Sequence, residues 1–91
     1  MRRLIFAGRF EKDTARLKKR GYETSKLREV ILRLARGEVL EKNYRDHALK
    51  GNYKGFRECH LAPDWLLIYR WVGEDELEMA RTGAHADLFD Q

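Results

Sequence analysis

One cysteine, one proline, three histidines and no long apolar run are the scarcities that frame this sequence of 91 residues. The lone Cys59 excludes an internal disulfide and fits a reducing compartment. No stretch approaches the roughly 20 apolar residues of a membrane-spanning helix, so no membrane partner is expected. The start, Met1-Arg2-Arg3-Leu4-Ile5-Phe6, is basic and then apolar, but Gly8 and Arg9 end the apolar stretch too early for a signal peptide. A cytoplasmic location is expected. Repeats, low-complexity tracts and Pro/Ser linkers are also missing. Residues 1–91 are therefore expected to form one domain with a single small core.

Charge is plentiful and unevenly placed. Residues 1–36 hold 12 Lys/Arg against 4 Asp/Glu, a net of +8, while residues 37–91 hold 7 against 11, a net of −4. A basic half suits a polyanion or an acidic protein partner, and equally suits a solvated helical surface.

Residues 2–7 read as a short strand. A helix follows from about Arg9 to Arg20, with Phe10 and Leu17 seven apart and Thr14 between them on one face. Lys18, Lys19 and Arg20 complement its carbonyl end, and Gly21 is placed to cap it. Thr24 or Ser25 offers the N-cap of a second helix, whose Leu27, Val30, Ile31 and Leu34 repeat at i, i+3, i+4, i+7 before Gly37 stops it. The short link makes the two an antiparallel hairpin. Beyond residue 38 the texture turns to β. A short strand is expected around Tyr44, followed by strands at 56–61, 65–72 and 76–82, the last three separated by Pro63-Asp64 and Gly73-Glu74-Asp75. The fold class is α+β, an antiparallel sheet with an N-terminal helical hairpin packed on one face, in the order βααβββ.

Every histidine stands near acids, arginines and aromatics: His47 in Tyr44-Arg45-Asp46-His47, His60 in Arg57-Glu58-Cys59-His60, and His85 in Arg81-Thr82-Gly83-Ala84-His85-Ala86-Asp87. Cleavage of a phosphodiester by its neighbouring 2′-hydroxyl needs a base, an acid and cations around the charged transition state. Histidine side chains titrate near neutral pH and suit both proton steps. Asp64 can act as a base or orient a histidine, and Arg81 offers a planar fork for phosphate oxygens. Tyr44, Trp65 and Phe89 offer faces for single-stranded bases, and with Arg45 they form the expected substrate-binding set. Strand parity turns Cys59 and Leu61 toward the core and His60, with Glu58, to the opposite face. His60 and Asp64 flank one tight turn and are expected to be close. Arg81 shares parity with the apolar Leu77 and Met79, so a bulge, or apolar cover on both faces of the sheet, is needed to bring it to His60. A metal site built from His60, Asp64, His85 and Asp87 is an alternative that these spacings leave open. Cys59 reads as a small buried hydrophobe.

The stretch from Tyr44 to Tyr69, with Tyr44-Arg45-Asp46-His47, Gly51, Tyr53, Gly55, Arg57-Glu58-Cys59-His60 and Pro63-Asp64-Trp65-Leu66-Leu67-Ile68-Tyr69, resembles the YafQ-type toxins of type II toxin–antitoxin systems, within the RelE/ParE superfamily. Arg81-Thr82-Gly83-x-His85-x-Asp87-Leu88-Phe89 resembles that family's C-terminal motif. The resemblance implies an endoribonuclease that cuts translating mRNA on the 70S ribosome through 2′-OH attack, without metal or other cofactor. It places catalytic positions on His47, His60, Asp64, Arg81 and His85, with Trp65 and Phe89 as supporting aromatics. Within that frame His85 is expected to be the general acid, Asp64 with His60 to handle the 2′-OH proton, Arg81 to stabilise the transition state, and His47 to orient the substrate or share proton transfer. It also implies a cognate antitoxin, commonly of ribbon-helix-helix type, with operator DNA reached only through it. A ParE-like toxin that poisons DNA gyrase by binding, or a non-catalytic partner in operon autoregulation, would share the fold without needing this acid/base set.

Overall fold

The computed structural model describes residues 1–89. Its elements are β1 (Arg3–Phe6), α1 (Gly8–Lys19), α2 (Thr24–Ala35), β2 (His47–Ala48), β3 (Arg57–Ala62), β4 (Trp65–Val72), β5 (Glu76–Gly83) and α3 (His85–Leu88). Two 3-10 turns, Lys42–Tyr44 and Gly51–Tyr53, flank β2. The strands form one sheet in the order β1-β5-β4-β3-β2. Neighbours among β2–β5 are antiparallel, as the hairpin spacings require. The first strand instead adds in parallel beside β5, from Arg3 opposite Glu76 to Phe6 opposite Met79. The α1–α2 hairpin carries the chain from β1 at one edge of the sheet to β2 at the other.

Both helices stop in the same way. After α1 the Tyr22 N–H donates to the Leu17 carbonyl and the Gly21 N–H to that of Lys18; after α2 Glu38 donates to Arg33 and Gly37 to Leu34. This paired pattern needs a left-handed residue, which Gly21 (φ +87°) and Gly37 (φ +82°) supply without a Cβ penalty. The start of α2 differs from expectation. Glu23 occupies the cap position, and Ser25 Oγ donates to the Glu23 carboxylate instead of capping the helix.

The expected stripe on α2, Leu27, Val30, Ile31 and Leu34, is buried against Cys59, Leu61, Leu67, Tyr69, Leu77 and Met79 of the sheet. On α1, Phe10 and Leu17 are buried, but Asp13 accompanies them into the interior while Thr14 is only half-buried. The opposite sheet face is covered too. Leu66, Ile68 and Leu88 form a second cluster with Leu49, Tyr53, Phe56, Ala80 and Phe89. With apolar cover on both sides, β4 buries five consecutive residues, Trp65 to Tyr69, and does not alternate.

Candidate active site

Three segments bring the histidines together over the second sheet face. His60 pairs with Leu66 across the β3–β4 hairpin, which puts its side chain on that face. His47 pairs with Glu58 through the two-residue strand β2, at the outer edge. His85 begins α3, which closes the same face by burying Leu88. The rings run in a row, with centroids 6.4 Å apart from His47 to His60 and 5.8 Å apart from His60 to His85. Phe89 extends it, 6.2 Å beyond His85, with its edge against Tyr53.

Each histidine has a carboxylate. Glu58, only 5% exposed, lies between two of them. Its Oε2 is 3.1 Å from His60 Nε2 and 3.4 Å from His47 Nε2. The second nitrogen of His47, Nδ1, faces the Arg45 carbonyl, so both nitrogens of that ring meet acceptors. Glu58 is the member of this candidate site that sequence reasoning did not select, although its parity with His60 put it on the correct face. Asp64 does not join His60 as expected. Its Oδ1 accepts the backbone N–H of His85 at 2.9 Å and meets His85 Nδ1 at 2.6 Å. The backbone bond first, and then the imidazole, hold the Asp64 carboxyl below its ordinary value, so it is ionised at neutral pH. The reason is topological: the two-residue turn at Pro63-Asp64 projects Asp64 beyond the end of β4, where the β5–α3 turn passes.

The bulge that Arg81 requires is present. Ile68 pairs with Arg81 but Tyr69 pairs with Met79, which leaves Ala80 as the extra residue on β5. The slip moves Arg81 onto the face shared with Ile68 and turns Thr82 into the helix-side core. The first strand ends opposite Met79, so the outer edge of β5 beyond that point meets α1. There Asp13, 2% exposed, receives Arg81 Nε at 2.7 Å, Arg81 Nη2 at 3.1 Å and the Thr82 N–H at 3.1 Å. The Asp13 hydrogen bonds, with a smaller effect from Tyr53, hold the Arg81 guanidinium protonated. A second tie from α1 steadies the α3 end of the site. Arg20 reaches Asp87 at 3.1 Å, and Asp87 also accepts the Ala84 N–H.

Trp65 is not a surface for bases. It lies 5% exposed on the helix side, edge-on to Tyr22, with its Nε1–H donating to Thr82 Oγ1, which in turn donates to the Leu66 carbonyl. It faces inward because alternation along β4 puts it on the same face as Leu67 and Tyr69, toward the helices. Its part is to brace the hairpin that carries Asp64. Tyr44 and Arg45 lie on the other side of His60, where a cavity of about 480 Å³ is lined by Lys26, Asn43, Tyr44, Arg45, His60 and Pro63. The alternative ligand set His60, Asp64, His85 and Asp87 is not assembled. The carboxylate of Asp87 is turned to Ala84 and Arg20, and among the described residues no group of three His, Cys, Asp or Glu side chains is placed to hold a metal ion. Cys59 is fully buried, as expected, and burial pushes its thiol up to about 12.

Residues 2–90 match the family described as "Bacterial toxin of type II toxin-antitoxin system, YafQ". The "mRNA interferase toxin YafQ" of Escherichia coli K12 is 37% identical over 89 residues, covering 97% of this chain and 96% of that protein. The E. coli DinJ–YafQ complex contains a chain that superposes with a TM-score of 0.88 at 37% identity, covering 98% of this chain and 99% of that one. A copper-bound mutant toxin from Helicobacter pylori superposes with a TM-score of 0.90 at 46% identity, covering 98% of this chain and all of that one.

Proposed function

The chain belongs to the YafQ family of type II toxin–antitoxin toxins, and from that premise we propose that it is an mRNA interferase cutting messages on the ribosome by attack of a 2′-hydroxyl. The observation that carries this reading is a pair of carboxylate–histidine couples, Glu58–His60 and Asp64–His85, whose rings stand 5.8 Å apart. That arrangement suits a base and an acid on either side of one phosphodiester.

The geometry favours His60 as the base. With Nε2 donating to the Glu58 carboxylate, Nδ1 is the nitrogen that takes the 2′-OH proton. His47 has no such nitrogen, because both face acceptors, and it serves to hold the substrate. As the P–O2′ bond forms and the P–O5′ bond breaks, the departing 5′-oxygen takes a proton from His85 Nε2. Asp64 fixes the ring through Nδ1 and stabilises the imidazolium that donates. Asp64 thus orients the acid and does not share the base step with His60. Asp13 occupies Nε and Nη2 of Arg81 and leaves Nη1 for a phosphate oxygen as charge builds in the transition state. The products are a 2′,3′-cyclic phosphate and a 5′-hydroxyl. Phe89, beside His85, offers an aromatic face to a base.

The remaining parts of the reading follow from the same membership. Residues 1–91 act as one domain in the cytoplasm, where a reduced Cys59 and ribosome-bound mRNA coexist. A cognate antitoxin of ribbon-helix-helix type neutralises the chain and carries any operator contact, in the manner of the complex that E. coli YafQ forms with DinJ. The basic surface of residues 1–36 serves ribosomal RNA and an acidic antitoxin segment in turn.

The test is cleavage of a defined message on programmed ribosomes, mapped by primer extension. Wild type should cut at discrete positions. His60→Ala and His85→Ala should each fall by at least about 10²-fold, and a single 2′-deoxynucleotide at the cut position should abolish that cut. Cleavage that survives 2′-deoxy substitution would remove the proposed chemistry.

A further inference from the structure

The cavity beside His60 is not used by the acid/base couples, and its walls are chemically particular. Strand β2 pairs only with Arg57 and Glu58, so the outer edge of β3 from Cys59 to Ala62 has no strand partner among the described residues and is met by the 3-10 turn Lys42–Tyr44. Open strand edges present backbone donors and acceptors to whatever enters. The cations here are also unspent. Among the described residues Arg33, Arg57 and Arg81 nearby are all held in ion pairs, whereas Lys26 and Arg45 have no acidic partner. The Arg33 guanidinium, itself held by Glu38 and Glu41, braces the Tyr44 ring at 5.8 Å.

Arg45 also carries backbone strain. Its φ of 50° and ψ of 40° are left-handed, and it is the one non-glycine residue with positive φ among those described. A left-handed arginine is disfavoured, and such outliers concentrate where a site dictates the geometry. The same residue sets His47, whose Nδ1 faces the Arg45 carbonyl. One turn therefore fixes both a histidine of the cleavage site and an unpaired cation on the cavity wall.

We infer that this cavity is the subsite for the nucleotide whose 2′-hydroxyl attacks. Tyr44 is the surface for its base, Asn43 reads the base edge, and Arg45 with Lys26 holds the phosphate on its 5′ side. The assignment rests on the proposed ribonuclease reading, because strand polarity comes from His60 as base and His85 as acid. The nucleotide that bears the attacking hydroxyl must lie on the His60 side of the scissile phosphate, and that is where the cavity opens. Its volume of about 480 Å³ falls within the usual range of small-molecule sites. A carboxamide with both donor and acceptor is suited to an unpaired base edge, and an aromatic ring to a base face.

The experiment uses the full chain on ribosomes programmed with four messages that differ only in the base immediately 5′ to the mapped cut. Alongside it, binding is measured to a short RNA carrying 2′-deoxyribose at that position, which cannot be cleaved. Wild type should rank the four messages over at least about tenfold in kcat/KM, and Asn43→Ala should compress that range severalfold. Arg45→Gly keeps the left-handed turn, since glycine accepts φ near 50° freely, but removes the cation. It should raise KM about tenfold for all four messages alike and weaken the uncleavable RNA by a similar factor. A flat wild-type ranking, or an unchanged ranking in Asn43→Ala together with KM and RNA binding within twofold in Arg45→Gly, would overturn the subsite. So would Arg45→Gly weakening the antitoxin while RNA binding stays intact, which would assign the cavity to a protein partner. If wild type cuts no message, the ribonuclease reading itself falls and the subsite with it.

Discussion

Asp13 and Arg81, 68 residues apart in the chain, are joined by two hydrogen bonds, Nε to Oδ2 at 2.7 Å and Nη2 to Oδ1 at 3.1 Å. Asp13 Oδ2 also takes the Thr82 N–H, at the point where β1 no longer covers the edge of β5. The first helix therefore completes a sheet edge with a carboxylate, and that carboxylate fixes the arginine of the site. With Arg20 holding Asp87 at the other end of the β5–α3 turn, α1 determines where both Arg81 and His85 stand.

Removing Asp13 should be felt in stability and in rate. Both partners are largely buried, with side chains 3% and 11% exposed. Breaking a buried pair from one side leaves a charge without its partner, which destabilises by about 3–5 kcal/mol. Asp13→Ala should lower the urea midpoint accordingly, a large part of the roughly 5–15 kcal/mol of a typical small domain. Asp13→Asn keeps an acceptor for the Thr82 N–H and should lose less stability while still lowering kcat. A midpoint unchanged in Asp13→Ala would show that the pair contributes nothing.

Glu58 is predicted to set the base. Glu58→Gln conserves volume in a buried position but replaces a carboxylate that two imidazoles share. The expected result is a fall in kcat of about 10²-fold, with melting behaviour close to wild type and partial recovery in Glu58→Asp. Single-turnover cleavage on programmed ribosomes measures it, and a Gln variant within twofold of wild type would detach Glu58 from the mechanism.

Much of this was legible in the sequence where periodicity and turn chemistry agreed. The stripe Leu27, Val30, Ile31, Leu34 is buried as its spacing requires, and the glycine stops of both helices sit where expected. The three histidines converge as their neighbours suggested, and parity alone put His60 on the second face. The relations that failed depend on non-local register. Parity groups Arg81 with Leu77 and Met79 and so demands a bulge, but it counts residues and cannot locate that bulge at Ala80. Nearness across one tight turn pairs Asp64 with His60, but its carboxylate is claimed by a turn 21 residues onward. Asp13 is not legible in the sequence, because a buried acid on an amphipathic helix interrupts the apolar stripe and its partner lies 68 residues away. Trp65 has the composition of a stacking surface, but it shares strand parity with Leu67 and Tyr69, which face the helices.

The segment that carries His47 should be anchored by Asp46. Tyr69 OH lies 2.8 and 2.7 Å from the two Asp46 oxygens, and Arg57 Nε donates to Oδ1 at 3.1 Å. This grip joins the outermost strand to the centre of the sheet. Tyr69→Phe leaves a half-buried carboxylate with only Arg57 and should destabilise by about 1–3 kcal/mol. Amide exchange over residues 45–48 should accelerate more than over β4 and β5, because the loss is local. Uniform acceleration across the sheet would show that Tyr69 supports the core as a whole and not this link.

Alkaline pH should loosen the fold through two buried acids on β3 and β4. Burial first, then the charges of Asp46 and Glu58, push the Cys59 thiol up from 9.0 to about 12. Burial and the Asp46 carboxylate likewise raise the Tyr69 hydroxyl above its ordinary value. Both groups bind their proton more tightly folded than unfolded. Their contribution is therefore complete below the unfolded value and declines as pH climbs through the interval toward the folded one. For Cys59 that window runs from 9.0 to about 12, so the urea midpoint should fall steadily above pH 9, after little change between pH 7 and 8.5. The same burial makes the thiol inert in the native state. At pH 8 a thiol reagent should label Cys59 only as fast as the chain unfolds, with the rate rising with urea. Prompt labelling at pH 8 without denaturant would mean that β3 opens locally beside His60.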